Sequence, residues 1–569
     1  MSISDKCRNP RVARVDTVAA MVITSSHYVL MRDTTRIAVT VHRPDRTGPV
    51  PVVVRATRYW RLPRPGEVEG FTGAGLALAV VDVRGTGASY GTWAVGWSRR
   101  EIADIAEVVD WLVAQPWCTG AVGAWGKSYD ANTALLLAAE CHPAVRAVVP
   151  LFPDYDPFTQ IHHPGGVLAT AMISDWSRMV AALDRGDPSV ITELAGLYAD
   201  IDVTALRVDE DTDGALLTGA IADHAGNPNL LETLTAQAYR EDSDSGPRAR
   251  RGEIERSDTA IWLWASWYDA GTGAGAVEHF RGTARPDRVT ILSSTHGNLH
   301  VSPYVDEEPR PVLPDMLDET VRYLRERLTG DPVEPKRTLE YWTIGTETLH
   351  RTSTWPVTTP LRVYPNQDGS LTGEPGTGTV TYKVDPTTTT GPTNNPWYQF
   401  NGSADRPMVF TDRATEDTKL LCHTGKPLSV PLELTGEVVV GLTLESTRPD
   451  GVVFAYLETV APDGRVRCLT EGCLRLSHRQ RGEAPSGVLE LYHSHRAEDA
   501  RPMTPGSPET VSFALLPISV VIPAGERLRL AVAGADHGTF ASAGTDAEWT
   551  IHLGTSWLDL PQCCPGQVR

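Results

Sequence analysis

One apolar run stops at Gly126-Lys127-Ser128 and passes without a break into a helix-forming segment. No other feature restricts this chain as much. Residues 120–140 read GAVGAWGKSYDANTALLLAAE. A phosphate-binding loop ending in Gly-Lys-Ser needs a glycine five residues before Gly126, so that backbone N–H groups can wrap the phosphates. That position is Ala121, and Ala121 to Trp125 reads as a strand. A nucleophile elbow instead thrusts a serine out at a strand-to-helix turn, with a glycine two residues earlier to allow close backbone approach. The segment fits the elbow, with Ser128 at the turn and good helix formers behind it. Taken alone, the same letters also suit a turn without function.

The flanking sequence supplies the sheet that an elbow requires. Strand-like runs occur at VVVRATRYW and GLALAVVDVRGTGASYG. The segment REIADIAEVVDWLVAQPWC has apolar residues at helical spacing and stops before Pro116, and VRAVVPLF follows the elbow. Alternating strand and helix predicts a parallel sheet covered on both faces. From about residue 160 to 255 the chain turns helix-like and loop-rich, as an insertion over the sheet would. The sheet pattern resumes at AIWLWASWYD and RVTILSST. Beyond Gly330, short β-runs such as EVVVGLTLES and VSFALLPISVVI recur between turn signals, an all-β sandwich or jelly-roll pattern. The expected division is an α/β domain in two parts (1–158 and 257–332), a helical cap (159–256) and a β domain (333–569).

Composition narrows the partners. The chain has 569 residues, too many for one core. Its net charge of −19 repels phosphate backbones, so no nucleic-acid partner is expected. No run approaches the ~20 apolar residues of a membrane span, and VAAMVI near the N-terminus is short for a secretory leader. The eight cysteines are scattered, with only Cys563 and Cys564 adjacent, so free thiols and a cytoplasmic setting are expected. Oligomeric state is not legible, and a homo-oligomer stays open.

A serine hydroxyl is inert without a base, and the base needs a carboxylate to orient it. In elbow hydrolases the chain order is serine, acid, histidine, with acid and base just beyond later strands. AIWLWASWYD ends at Asp269, and 27 residues later RVTILSSTHGNLH carries His296. The residues alone also allow Asp269 to cap the next helix, and leave His300 as a competitor for His296. An attacked carbonyl further needs an oxyanion hole. The backbone N–H of Tyr129 is one donor by position, and the phenol of Tyr59, just past a Val-rich run, is a second candidate. By spacing alone Tyr59 and Trp60 are equally suited to be rim aromatics.

GKSY, DVRGTGASYG, WYD and THG, in this order and ahead of an all-β half, resemble one serine-hydrolase group. It contains X-prolyl dipeptidyl peptidases, bacterial cocaine esterase and α-amino-acid ester hydrolases. The resemblance spans roughly 28–560 and includes HPGGV, LTEGCLRLSHR and IPAGERLRLAVAG. It implies an α/β-hydrolase domain with an inserted helical cap and a C-terminal jelly roll. It implies Ser128 as nucleophile, Asp269 and His296 as its partners, and Tyr59 as an oxyanion donor. Trp60, Asp130, Phe158 and Trp267 are the expected substrate contacts. Five positions depart from the pattern. Ala131 replaces a glycine, Asp130 stands beside the nucleophile, Arg58 replaces a proline before Tyr59, and Ser294-Thr295 replace Pro-Trp before His296.

Other motifs fail. In DEDTDG the residue that should close a calcium loop is Ala220, and GTGASYG has Tyr90 where a dinucleotide fingerprint needs glycine. His162-His163, and His493 with His495, lack further metal ligands. The expectation is a serine hydrolase that cleaves an ester or amide of a small molecule or short peptide, with no metal or organic cofactor. An acyltransferase and an aminopeptidase of the X-prolyl dipeptidyl type are the alternatives.

Overall fold

The computed structural model describes residues 21–563 apart from 65, 95, 191–203, 242–245, 298, 306–315, 331–335, 392 and 401–407. Residues 1–20, Cys564 and the domain boundary expected at 332/333 lie outside the described residues, and Val22 and Ile23 of the apolar patch considered as a leader open the first strand. A ten-stranded sheet forms the first half. Its strands are β1 (Val22–Leu30), β2 (Arg36–Pro44), β3 (Val50–Thr57), β4 (Ala77–Asp82), β5 (Cys118–Lys127), β6 (Val145–Leu151), β7 (Ala260–Ser266), β8 (Arg288–Leu292), β9 (Thr338–Thr343) and β10 (Thr348–Thr352). In space they run β1-β2-β4-β3-β5-β6-β7-β8-β9-β10. The strands from β4 to β9 pair in parallel, and β1, β2 and β10 add antiparallel pairings at the two ends.

The parallel strands are apolar throughout because both faces are covered. All eight residues of β3 are buried. One face carries α1 (Glu67–Gly73) and the helix Met316–Thr329, whose Phe71 and Leu324 pack with Trp262 and Trp264 of β7. The other carries α2 (Arg99–Val113), α3 (Tyr129–Ala139) and the helix Thr272–Gly282. Ser98 caps α2, its side chain accepting the Glu101 N–H at 3.2 Å. All of α3 is buried, which fits its alanine- and leucine-rich sequence.

Between β6 and β7 the chain leaves the sheet. A π-helical turn at Phe158–His162 leads into α4 (Thr170–Asp184), followed by helices Ala215–Asp223, Leu230–Ala236 and Arg251–Arg256. Asp211, in the acidic loop that mimics a calcium motif, accepts the N–H groups of Leu216 and Leu217 at 3.0 Å each. The C-terminal half holds a nine-stranded and a four-stranded antiparallel sheet. The fold class is the expected one: an α/β-hydrolase sheet, a helical insertion and an all-β C-terminal domain. Among the described residues no helix is long and apolar enough to cross a membrane.

Where the insertion meets the β domain, histidines gather. His163 stacks on Phe158 with ring centroids 4.8 Å apart. His495 lies 5.2 Å from His478 and 6.1 Å from His493. Burial is the main cause that pulls these imidazoles down, His163 and His478 each to about 4, and His493 and His495 also below their ordinary value. A histidine depressed in the native state binds its proton more readily when unfolded. Its contribution to stability is therefore intact above about pH 6.5 and is lost as pH falls toward 4. Buried acids act the other way. Glu458, raised to about 8, favours the native state as pH falls. The histidine effect is thus read as a difference between two proteins. His478→Gln should gain stability relative to the parent between about pH 7 and about pH 4, by on the order of 3 kcal/mol if His478 titrates alone. Urea unfolding of both proteins at the two pH values measures this, and a pH-independent difference refutes it.

Candidate active site

β5 ends at Lys127, and Ser128 turns the chain into α3 with φ 65° and ψ −126°. This backbone region is costly for a residue with a side chain, on the order of 1–3 kcal/mol. Three contacts hold it. The Ser128 N–H donates to the Leu151 carbonyl at 2.9 Å, the Ala131 N–H donates to the Ser128 carbonyl at 2.9 Å, and Thr133 Oγ1 donates to Ala56 O at 2.9 Å, tying α3 to β3. Gly126 allows the approach, because a Cβ there would lie 2.3 Å from the Asp130 carbonyl oxygen. Ala131, where the resemblance calls for glycine, fits fully buried. The hydroxyl of Ser128 is left half-buried at the carboxyl end of the sheet.

Asp269 and His296 stand beyond the ends of neighbouring strands β7 and β8. His296 Nδ1 lies 3.0 and 2.8 Å from the two Asp269 oxygens, and Asp269 is buried. A shared support aligns the two loops. Ser266 Oγ lies 2.6 Å from the Ser294 carbonyl and accepts the Ser294 N–H at 2.8 Å, so the end of β7 is stitched to the loop before His296. His300 turns elsewhere, its Nδ1 near the Ser293 carbonyl and its Nε2 3.0 Å from Glu347. Phe152 packs on the His296 ring at 5.8 Å. Among the described residues no hydrogen bond joins Ser128 Oγ to His296.

Tyr59 lies on the same side. Its hydroxyl oxygen accepts the Trp176 indole N–H from α4 at 3.0 Å, and its ring meets Tyr129 edge-on at 5.9 Å. Burial pushes its phenol well above the ordinary value, so it stays protonated. Neither the Tyr59 hydroxyl proton nor the Tyr129 N–H has an acceptor among the described residues. The Tyr129 ring itself is spent on structure, since its hydroxyl donates to Glu101 at 2.7 Å and accepts from Trp93 Nε1 at 2.9 Å. Burial raises Glu101 to about 7. Arg58 also reaches the insertion. Its buried guanidinium pairs with Asp184 of α4 at 2.6 Å and lies 4.5 Å over the Trp93 ring.

The other expected substrate contacts point away. Asp130 is fully buried, with its carboxylate 3.1 Å from Arg55 and 2.9 Å from Arg64. At the head of α3 its side chain faces back beneath the sheet edge, so it braces the scaffold. Trp60 is buried in the main core. Trp267 donates its indole N–H to the Trp342 carbonyl at 2.8 Å and packs toward β9. Phe158 lies between His163 and the Arg240 guanidinium, 5.0 Å from its ring centre.

Two further features bear on the site, an acidic pocket candidate in FPDYDPF and a loop with no sequence signal. Asp154 is buried, with its backbone clamped by Asn132 through bonds of 2.9 and 2.8 Å. Burial, then Asp269, pushes its carboxyl well above the ordinary carboxylate range. A loop of the β domain also reaches the site. The Pro396 carbonyl accepts the Ala270 N–H at 2.7 Å, Gln399 lies beside the Asp154 side chain, and Tyr398 donates to Asp175 of α4.

Residues 33–298 match the family model described as X-Pro dipeptidyl-peptidase (S15 family), and residues 332–567 match the X-Pro dipeptidyl-peptidase C-terminal non-catalytic domain. A protein from Mycobacterium bovis that carries the name serine esterase is 34% identical, with 95% of each chain covered. Cocaine esterase from a Rhodococcus species is 25% identical over 80% of this chain and 84% of its own. Among solved structures, a CocE/NonD family hydrolase from Staphylococcus aureus is similar in fold, with a TM-score of 0.72 at 17% identity over 95% of this chain and 94% of that one.

Proposed function

Because the chain belongs to the X-Pro dipeptidyl-peptidase (S15) family of serine esterases and related hydrolases, we propose that it hydrolyses an ester or amide through an acyl-enzyme on Ser128. The observation that carries this reading is the Asp269–His296 pair, 2.8 Å apart beyond two adjacent parallel strands that follow the strained turn at Ser128. Ser128 Oγ attacks the substrate carbonyl carbon while His296 Nε2 takes its proton. The tetrahedral oxyanion is held by the Tyr129 N–H and the Tyr59 hydroxyl. The carbon–leaving-group bond breaks as His296 returns the proton to the departing oxygen or nitrogen. Water, deprotonated by His296, then releases the acid and restores Ser128. Asp269 fixes the tautomer of His296 and stabilises its charged form. Acyl transfer to an alcohol or amine shares every step up to the acyl-enzyme. A cytoplasmic setting belongs to the same proposal, and the free thiols of Cys118, Cys141, Cys422, Cys468 and Cys473 support it.

The acid residues near the site bear on substrate class. A free α-ammonium group in a partly dry pocket needs a carboxylate partner. Asp130 is held by Arg55 and Arg64, and Asp156 by Arg240 and Arg248. Asp154 remains, but its carboxyl is buried and faces Asp269, and burial pushes it up. With no ready carboxylate, the proposed substrate is an acyl compound without an obligatory free amine, which favours an esterase over an X-prolyl dipeptidyl peptidase.

Three measurements test these assignments. A fluorophosphonate should label Ser128 alone, and Ser128→Ala should abolish labelling with its unfolding midpoint preserved. Mass-spectrometric mapping to a different serine sinks the mechanism. Tyr59→Phe should lower kcat by on the order of 10²–10³ with a smaller change in KM, because a donor aimed at an oxyanion acts in the transition state. A change confined to KM reassigns Tyr59 to the pocket wall. For matched esters, kcat/KM should not favour the free amine over its N-acylated counterpart. A preference above about tenfold, ~1.4 kcal/mol of transition-state binding, overturns the substrate class.

A further inference from the structure

A cavity of about 160 Å³ opens where the helix Thr272–Gly282, the start of the insertion and the β domain meet, and its lining includes none of Ser128, Tyr59 or His296. Val277, Leu489 and Phe513 give it apolar walls, while Glu278, Glu437 and His495 bring polar groups to it. Two of these are under-used. Glu437 takes the backbone N–H of Glu490, but its Oε2 is buried without a partner. His495 is 5% exposed and its Nδ1 also has no partner.

Charge around the cavity is lopsided. Asp156 and Glu278 are matched by Arg240 and Arg248. Glu437 faces Glu490 and Glu278; of the cations nearby, Arg281 is directed at the carbonyls of Gly487 and Val488 at 3.4 and 3.3 Å, and Arg248, which also lines the cavity, is paired with Asp156 and Glu278. Tyr492, His493 and His495 add no positive charge, since burial keeps both imidazoles neutral. We propose that this cavity binds a small primary ammonium compound with an apolar body, its ammonium paired with Glu437. A cavity of about 150 Å³ accommodates a benzene-sized group, so the body is a single ring or a short alkyl chain. An anion would add a further negative charge beside Glu278 and Glu490, and a neutral ligand would leave Glu437 unpaired.

Binding has a protonic signature. Burial, reinforced by Glu490, raises Glu437 to about 8. Near neutral pH the incoming ammonium therefore displaces the carboxyl proton, which passes to solvent, and an ion pair replaces the neutral acid. Affinity should rise with pH until Glu437 is ionised in the free protein. Benzylamine is the probe, titrated calorimetrically into the full chain. Its affinity should increase about tenfold or more between about pH 6.5 and about pH 8.5, while benzyl alcohol shows no such rise. Glu437→Gln should remove the rise and weaken benzylamine binding at the higher pH about tenfold, with ester hydrolysis and the unfolding midpoint retained. Absence of saturable benzylamine binding, or an unchanged pH dependence in Glu437→Gln, overturns the proposal. So does binding that vanishes once Ser128 carries an inhibitor, which would assign the amine to the catalytic pocket. If Glu437→Gln does not fold, Ala274→Leu, which fills the cavity from its helix, serves instead, and undiminished binding then refutes the site.

Discussion

A serine cannot rest at φ 65° and ψ −126° unless its neighbours allow no alternative, and the turn at Ser128 is such a place. The cost is met by α3, whose eleven residues are all buried and which is bolted to β3 through Thr133 and to the end of β6 through Asn132. Gly126 is the one opening in this arrangement, because any Cβ there collides with the backbone of Asp130. The rest of the site is placed relative to that fixed point. β7 and β8 carry Asp269 and His296 to the same rim, and Ser266 sets the distance between their loops.

The insertion and the β domain complete the rim. Trp176 orients the Tyr59 hydroxyl, and the Arg58–Asp184 pair clamps the same helix, α4, against the sheet. A buried pair of this kind gains little net stability over an apolar substitute, but loss of one partner strands a charge. Arg58 and Asp184 therefore constrain where α4 can sit, and through Trp176 they constrain Tyr59. From the other side, the loop at Pro396–Gln399 touches the residue after Asp269 and the buried carboxyl of Asp154.

The sheet, the order of its parts and the loops bearing Ser128, Asp269 and His296 are legible in the sequence because each depends on local pattern: an apolar run, a turn and a following helix. Choosing between His296 and His300 is not local. It is decided by Glu347, on a turn between β9 and β10 that draws His300 away. Asp130 misleads for a related reason. Proximity to Ser128 along the chain says nothing about which side of α3 a side chain leaves from, and there Arg55 and Arg64 claim it. Trp60 and Trp267 look like pocket aromatics by position, yet their large surfaces are taken up by packing within the hydrolase body. Trp176 and Gln399 have no motif at all, since their roles arise from contacts between segments distant in sequence.

The bond from Pro396 to Ala270 also has a consequence in time. Pro396 follows Ser128 by 268 residues and lies beyond the whole α/β half. Domains fold as they leave the ribosome, the N-terminal one first. The sheet, the elbow and the Asp269–His296 pair can therefore assemble while the strand-rich half is still being made. The loop behind Asp269 must wait for its last hydrogen bond until at least Pro396 has been made, so the newborn hydrolase passes through a stage in which its acid-bearing loop is built but not yet locked.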